Sequence, residues 1–158
     1  MIRMKKILLA IPVVITLFAS GGCIRDSVCK DITVQSEQAT IVSFAAANGI
    51  SATAHSSGLY YEITAPGSGP TPVSGSQVSI KYTGKLLNGT LFDDQSANPV
   101  VYALNGMIQG FQIGLKLIQK GGKIKLIVPS SLAYGCNGYG SVPGNSILYF
   151  EVELIDVL

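Results

Sequence analysis

Residues 78–93 read VSIKYTGKLLNGTLFD, two stretches rich in apolar residues on either side of the pair Asn88-Gly89. Val78, Ile80 and Tyr82 alternate with polar neighbours, a pattern that is typical of a strand with one buried face. An Asn-Gly pair between apolar residues predicts a two-residue hairpin turn, because both residues tolerate positive φ. The stretch therefore predicts antiparallel pairing at the centre of the fold.

The sequence on either side extends this pattern to a sheet with one short helix. Alternation predicts further strands at 59–63, 124–128 and 148–154, and apolar residues at helical spacing predict a helix over 108–118. We expect an α+β domain over residues 58–158, with a twisted antiparallel sheet wrapped around the helix. Aromatic side chains are expected to line a pocket where the two layers separate.

The N-terminal segment has the layout of an export signal. Three basic residues precede an apolar run at 7–18, and small residues at 19–22 lead into Cys23. The run is too short to span a bilayer. Cysteine after small residues resembles a bacterial lipobox, which implies cleavage of residues 1–22 and a lipid on Cys23. The chain would then be anchored in the cell envelope and face the periplasm. The outer membrane is expected in preference to the inner membrane. An ordinary cleaved signal near a chance cysteine is the alternative.

Residues 23–57 are expected to form a tether that contains a short amphipathic helix. Ser36 is a candidate N-cap, and Asn48-Gly49 ends a helical pattern over about 36–48. The apolar stripe of this helix must pack either on the following domain or on a second copy of the chain. The first case makes the helix an extension of the domain, and the second makes it a dimerisation element of a structural lipoprotein. His55 is interpreted as a solvated linker residue.

Composition excludes several classes of function. The chain of 158 residues is long enough for one domain with an extension, and charged residues make up only 13%. Beyond residue 22 it has eight basic and nine acidic residues, so no basic patch of a size that binds nucleic acid is expected. Three cysteines and one histidine predict neither a metal site nor nucleophilic catalysis.

The cysteines leave one question open. If Cys23 carries lipid, Cys29 and Cys136 remain, and an exported protein meets conditions in which they can pair. The sequence gives no distance between them, and two unrelated thiols are the simpler interpretation. A disulfide would hold the tether beside the glycine-rich loop at 134–144.

Several blocks of the sequence, taken together, resemble the FKBP-type peptidyl-prolyl cis-trans isomerases. They occur in the order and near the spacing of that family: VSIKYTG (78–84), NGTLFD (88–93), MIQGF (107–111), IVP (127–129), LAYG (132–135) and ILYFEVEL (147–154). The resemblance implies an FKBP-like half-barrel sheet around a short helix. It also implies isomerisation of proline-containing polypeptides without a cofactor, and a site that admits macrolide ligands.

The resemblance also assigns the site. It implies that the backbone N–H of Ile108 and the hydroxyl of Tyr134 bind substrate carbonyl groups. It also implies that Tyr82 helps to orient Asp93. The residues that match the catalytic pocket are Tyr82, Phe92, Asp93, Ile108, Phe111, Tyr134 and Phe150, and those that match further substrate contacts are Val100, Met107, Tyr139 and Val142.

Two departures from the family pattern affect this pocket. Val100 stands where many members have an aromatic wall residue, and the loop at Gly140-Ser141 is one residue short, with Tyr139 near its tip. Both changes are expected to loosen the pocket or alter substrate preference. They leave a second hypothesis, a binding module or chaperone that holds proline-containing segments without isomerising them.

Overall fold

The computed structural model describes residues 29–158. The predicted signal segment and the predicted lipid site at Cys23 lie outside the described residues. Within residues 29–158, no helix is long and apolar enough to cross a membrane.

The described chain contains two α-helices and seven strands. The helices are α1 (Val34–Ala47) and α2 (Gln109–Gly114), and a 3₁₀ turn, Leu115–Leu117, follows α2 directly. The strands are β1 (Thr53–Ala54), β2 (Tyr60–Ala65), β3 (Gln77–Leu86), β4 (Leu91–Asp94), β5 (Val100–Ala103), β6 (Lys123–Val128) and β7 (Leu148–Val157).

All seven strands form one antiparallel sheet. Its order is β1-β2-β6-β7-β3-β4, and β5 pairs with β3 on the same side as β4. The long strands β3 and β7 pair from Val78↔Val157 to Leu86↔Leu148 and form the middle of the sheet. The prediction of an antiparallel sheet with a short covering helix is confirmed.

One face of the sheet packs against α2 and forms the larger core. Phe111, Leu115 and Ile118, which the helical spacing placed on one face, are all buried. Gly110 and Gly114 face β6, where an added Cβ would lie within 3 Å of side-chain atoms of Val128 and Leu126. These two glycines therefore let α2 lie close to the sheet, which fixes the floor of the space above it.

The other face of the sheet is partly covered by α1. Ile41 and Ala45 of this helix are buried in a second cluster with Tyr60, Ile127 and Tyr149, one residue from each of β2, β6 and β7. Of the two docking modes left open by the sequence, the structure has α1 on its own domain. The central strands are therefore covered by α2 on one face and partly by α1 on the other.

The start and the apolar face of α1 differ from the prediction. The helix begins at Val34 after Thr33, two residues before Ser36. Ser36 lies in the first turn, where its hydroxyl donates to the carbonyl of Thr33 at 2.7 Å. Val42, which follows Ile41 in the apolar pattern of 41–45 that predicts this helix, is 49% exposed and so lies off the buried face.

The hairpin at 86–91 is present, but its turn is of another kind. The N–H of Gly89 donates to the carbonyl of Leu86 at 2.9 Å, so the turn is centred on Leu87-Asn88. Gly89 has a φ of +88°, whereas Asn88 is not among the positive-φ residues of the described chain. The predicted two-residue turn is wrong, because only Gly89 adopts the conformation that both residues tolerate.

Cys29 and Cys136 form a disulfide with a Cα–Cα distance of 5.5 Å. The sequence alone favours two unrelated thiols, since a separation of 107 residues carries no information on distance. The described part of the predicted tether is therefore attached to the domain at residue 29.

Candidate functional site

A cavity of about 460 Å³ opens between the sheet, the start of α2 and the loop after β6. Four strands (β3, β4, β5 and β7) and the start of α2 supply most of its wall. Its lining residues are Tyr82, Asp93, Tyr102, Gly106, Met107, Ile108, Phe111, Tyr134, Tyr139 and Phe150.

Aromatic rings packed edge to face form the floor of this cavity. The ring centroids of Phe111 and Phe150 lie 4.7 Å apart at an interplanar angle of 80°, and Tyr82 stands 5.6 Å from Phe111. Such tilted pairs are the favoured geometry of aromatic contacts. Phe92 does not line the cavity but supports it from behind, at 5.6 Å from Phe150.

This ring cluster depends on a glycine in β3. A Cβ at Gly84 would lie 2.8 Å from ring atoms of both Phe92 and Phe150. Gly84 is also where the register between β3 and β4 shifts. The absent side chain is therefore what lets the two rings close over the strand.

Asp93 and Tyr82 form the polar side of the cavity. The hydroxyl of Tyr82 donates to Oδ2 of Asp93 at 2.6 Å, and Nε2 of Gln95 donates to Oδ1 at 3.4 Å. Burial, followed by this hydrogen bond and the hydroxyl of Tyr102, raises the pKa of Tyr82 well above its usual value. Tyr82 therefore keeps its proton and holds the carboxyl group of Asp93 in one orientation.

Two residues that line the cavity carry hydrogen-bond donors, the backbone N–H of Ile108 and the hydroxyl of Tyr134. Among residues 29–158, the backbone N–H of Ile108 has no protein acceptor, since Ile108 precedes the first turn of α2. Tyr134 also lines the cavity, and burial, with Asp93 as the next cause, raises the pKa of its phenol. Its hydroxyl therefore remains a donor at neutral pH. The two groups are suited to binding carbonyl oxygens of an extended peptide.

Tyr139 extends the wall that Tyr134 begins. The two rings are stacked, with centroids 5.2 Å apart and planes 20° from parallel, and Tyr139 is 71% exposed. Val142 pairs with Tyr139 through a β-bridge and is buried beneath the loop. Val142 therefore supports the loop and does not line the cavity.

The wall of the cavity near Val100 differs from the one that the sequence predicts. Val100 is partly buried against the core, and Tyr102, two residues further along β5, lines the cavity. Sequence reasoning missed both β5 and Tyr102. The signal was present, because alternation along a strand puts residues 100 and 102 on one face. An aromatic side chain thus contributes to this wall although residue 100 is a valine.

A second cavity, of about 310 Å³, lies on the outer side of the sheet among lysines and glutamates. These charges are paired across strands, Lys125 with Glu62 at 2.9 Å and Lys123 with Glu153 at 3.4 Å. No group of His, Cys, Asp or Glu side chains in the described part of the chain is arranged to hold a metal ion. The aromatic cavity is therefore the stronger candidate site.

Comparison with solved structures gives the class of the fold. The structure of FkpA from Escherichia coli matches with a TM-score of 0.69 and 37% identity over 78% of this chain and 60% of that one. A peptidyl-prolyl cis-trans isomerase from Pseudomonas syringae pv. tomato matches with a TM-score of 0.67 and 30% identity, over 81% of this chain and 98% of that one. The sheet and its aromatic cavity therefore define an FKBP-fold domain.

Sequence comparison agrees with this class. Residues 69–155 match the family described as FKBP-type peptidyl-prolyl cis-trans isomerase. FkpA of Escherichia coli is 44% identical over 104 residues, which is 65% of this chain and 38% of that protein. A probable FKBP-type isomerase of Haemophilus influenzae is 45% identical over 64% of this chain and 43% of its own length. The chain belongs to the FKBP-type peptidyl-prolyl cis-trans isomerase family, and it spans less than half the length of these curated relatives.

Proposed function

We propose that the protein is a peptidyl-prolyl cis-trans isomerase that acts on proline-containing segments of exported polypeptides. The observation that carries the proposal is the open aromatic cavity, two of whose lining residues supply donors, Ile108 through its N–H and Tyr134 through its hydroxyl. The family assignment supports the same activity.

The chemistry requires rotation about one bond and no bond cleavage. The planar X-Pro imide is a charge-separated resonance form that water stabilises, and its rotation barrier is about 18–20 kcal/mol. A twisted imide is less polar, so a wall of Phe111, Phe150 and Tyr82 favours it over the planar form. No cofactor takes part in this mechanism.

The polar groups hold the peptide while the proline ring occupies the aromatic floor. In this proposal the N–H of Ile108 and the hydroxyl of Tyr134 bind carbonyl groups on either side of the rotating bond. Asp93, oriented by Tyr82, places the oxygen atoms of its carboxyl group in a fixed position beside the imide. Met107, Tyr102 and Tyr139 provide the apolar rim, and macrolide ligands would occupy the same space.

The role of Tyr134 is tested by Tyr134→Phe, which removes the hydroxyl and keeps the ring. We expect kcat/KM for a proline tetrapeptide to fall by about threefold to tenfold, the value of one hydrogen bond. Tyr61→Phe, on β2 outside the cavity, is the matched control and should retain wild-type turnover. Equal activity of the two variants would remove Tyr134 from the site.

The second hypothesis, a peptide-binding module without turnover, loses one of its two supports because Tyr102 supplies a ring near Val100, whereas the shortened loop still favours it. Saturable binding of a proline peptide by the folded wild-type chain, with no gain in isomerisation rate, would favour it.

We propose further that the protein is anchored by lipid on Cys23 and faces the periplasm. The signal-like segment and the small residues before Cys23 support this location. The disulfide Cys29–Cys136 supports an oxidising compartment. Metabolic labelling with a fatty acid should modify the wild-type chain and leave Cys23→Ser unlabelled, whereas label on the variant or on neither chain contradicts the anchor.

A further inference from the structure

The segment before α1 contacts the loop that carries two residues of the cavity wall. We call residues 130–145 the site loop; it contains Tyr134 and Tyr139. The first contact is the disulfide between Cys29 of the N-terminal segment and Cys136, two residues after Tyr134. Cys29 lies outside the part of the chain that matches the family, residues 69–155.

Two hydrogen bonds next to the disulfide hold the same segment to the site loop. Oδ1 of Asp31 accepts from the N–H of Cys136 at 2.8 Å, and the carbonyl of Lys30 accepts from Nδ2 of Asn145 at 3.2 Å. A Cβ on Gly135 would lie 2.7 Å from Oδ1 of Asp31. The loop therefore has a glycine where the carboxylate approaches it, and both arms of the loop are contacted.

A third connection comes from the first turn of α1. Glu37 is 5% exposed, and its Oε2 accepts from the N–H of Ser130 at 2.9 Å. Ser130 is fully buried and begins the site loop, four residues before Tyr134. A buried carboxyl group is stabilised only where it has such a donor, so this bond fixes α1 and the start of the loop relative to each other.

The loop is also closed on itself, which makes it respond as a unit. The N–H of Asn145 donates to the carbonyl of Gly135 at 2.8 Å, and Tyr139 and Val142 exchange backbone hydrogen bonds. A unit of this kind shifts and opens as a whole when its external contacts are lost. The contacts from Cys29, Asp31 and Glu37 are therefore placed to set the positions of the Tyr134 and Tyr139 rings over the cavity.

We infer that Cys29, Asp31 and Glu37 are positioning residues for the site loop. Through them, residues 29–37 set the affinity of the cavity for peptide. Reduction of the disulfide then weakens peptide binding without unfolding the domain. This inference rests on the proposed function for its substrate. The bracing of the loop itself rests on the contacts alone.

The test compares the oxidised full chain with the double variant Cys29→Ser/Cys136→Ser, with Cys23 unchanged in both. Hydrogen exchange measured by mass spectrometry without substrate should be about tenfold faster in residues 133–147 of the variant and unchanged in β3 and β7. For a proline tetrapeptide we expect KM to rise about threefold to tenfold with kcat within about twofold, because the site loses binding and keeps its floor. Dithiothreitol should reproduce both effects in the wild-type chain and have neither effect in the variant.

Adjacent substitutions keep the test independent of the disulfide. Asp31→Ala removes the acceptor for Cys136, whereas Lys30→Ala keeps the backbone carbonyl that Asn145 uses. The first should raise loop exchange and KM, and the second should change neither. Circular dichroism establishes that each variant is folded.

Lower thermal stability of the double variant with unchanged loop exchange and unchanged KM would overturn the inference, because the disulfide would then be a structural cross-link only. Equal effects of Asp31→Ala and Lys30→Ala would also overturn it. A wild-type chain that binds no peptide refutes the proposed function instead, and loop exchange then decides the bracing alone.

Discussion

At the scale of single residues, the cavity depends on a glycine that lies against two large aromatic side chains. Gly84 leaves the room that the rings of Phe92 and Phe150 fill. The family-like block 78–84 ends on this glycine, yet the sequence did not show that its role is to admit two rings. That role depends on the distance from β3 to Phe92 on the neighbouring strand and to Phe150, which is more than 60 positions away in the sequence.

Gly84→Ala should be destabilising because the added methyl group overlaps both rings. We expect a loss of about 1–3 kcal/mol in the free energy of unfolding, the range for overpacked cores. Gly75→Ala is the matched control, since an added Cβ there meets nothing within 4 Å. Urea denaturation of both variants is the measurement, and equal midpoints would contradict the packing account.

The buried phenol of Tyr149 makes the stability of the fold depend on pH. Burial, followed by the hydrogen bond to Glu151 at 2.8 Å, raises the pKa of Tyr149 far above its usual value. Above about pH 10 the unfolded chain loses this phenolic proton and the folded chain keeps it, so the free energy of unfolding falls as pH rises, by about 1.4 kcal/mol per pH unit for one tyrosine.

Tyr149→Phe removes this proton and should make the alkaline fall in the free energy of unfolding less steep by about 1.4 kcal/mol per pH unit, whereas Tyr82, whose pKa is also raised, keeps its own contribution. Near pH 8 neither protein should show this slope. Chemical denaturation at several pH values between 8 and 11 measures it. Parallel alkaline limbs for the wild type and the variant would show that Tyr149 titrates alike in the folded and unfolded chains.

At the scale of elements, alternation and helical spacing located most of the fold. Strands β2, β3, β6 and β7 and helix α2 were predicted from periodicity. Strand β5 was missed, because four residues are too few for a period to be visible. The hairpin was found, but the choice of turn depends on the register of β3 and β4, which shifts at Gly84.

The docking of α1 was open because its sequence shows an apolar stripe and not the surface that covers it. The matching surface consists of Tyr60, Ile127 and Tyr149, which belong to the opposite alternation set of their strands. In a sheet with one face in solvent such residues are exposed. Three apolar residues in that set were the available signal for a second covered face.

Ile41→Ala should therefore destabilise the protein. Ile41 is fully buried in the cluster under α1, and truncating such a side chain costs about 2–4 kcal/mol. Val42→Ala, the next residue of the same helix and 49% exposed, should change the free energy of unfolding by less than about 0.5 kcal/mol. Similar losses for both variants would contradict the docked helix.

At the scale of the whole molecule, the disulfide joins the two parts that the sequence had separated into tether and domain. It spans 107 residues and closes most of the described chain into one loop. No local pattern reports such a contact, since pairing depends on the folded distance between the two thiols. The residues that line the cavity were largely predictable because the family blocks hold them in fixed order, whereas Cys29, Asp31 and Glu37, which contact the site loop, lie before these blocks.

The central claim is that the aromatic cavity accelerates rotation about X-Pro bonds. Its most direct test is NMR exchange spectroscopy of a proline peptide with a catalytic amount of the oxidised full chain, which needs no coupling protease. Uncatalysed exchange takes tens of seconds or longer, and we predict an acceleration of at least about tenfold that a macrolide competitor abolishes. An exchange rate equal to that in buffer, with a chain that is folded by circular dichroism, would contradict the account.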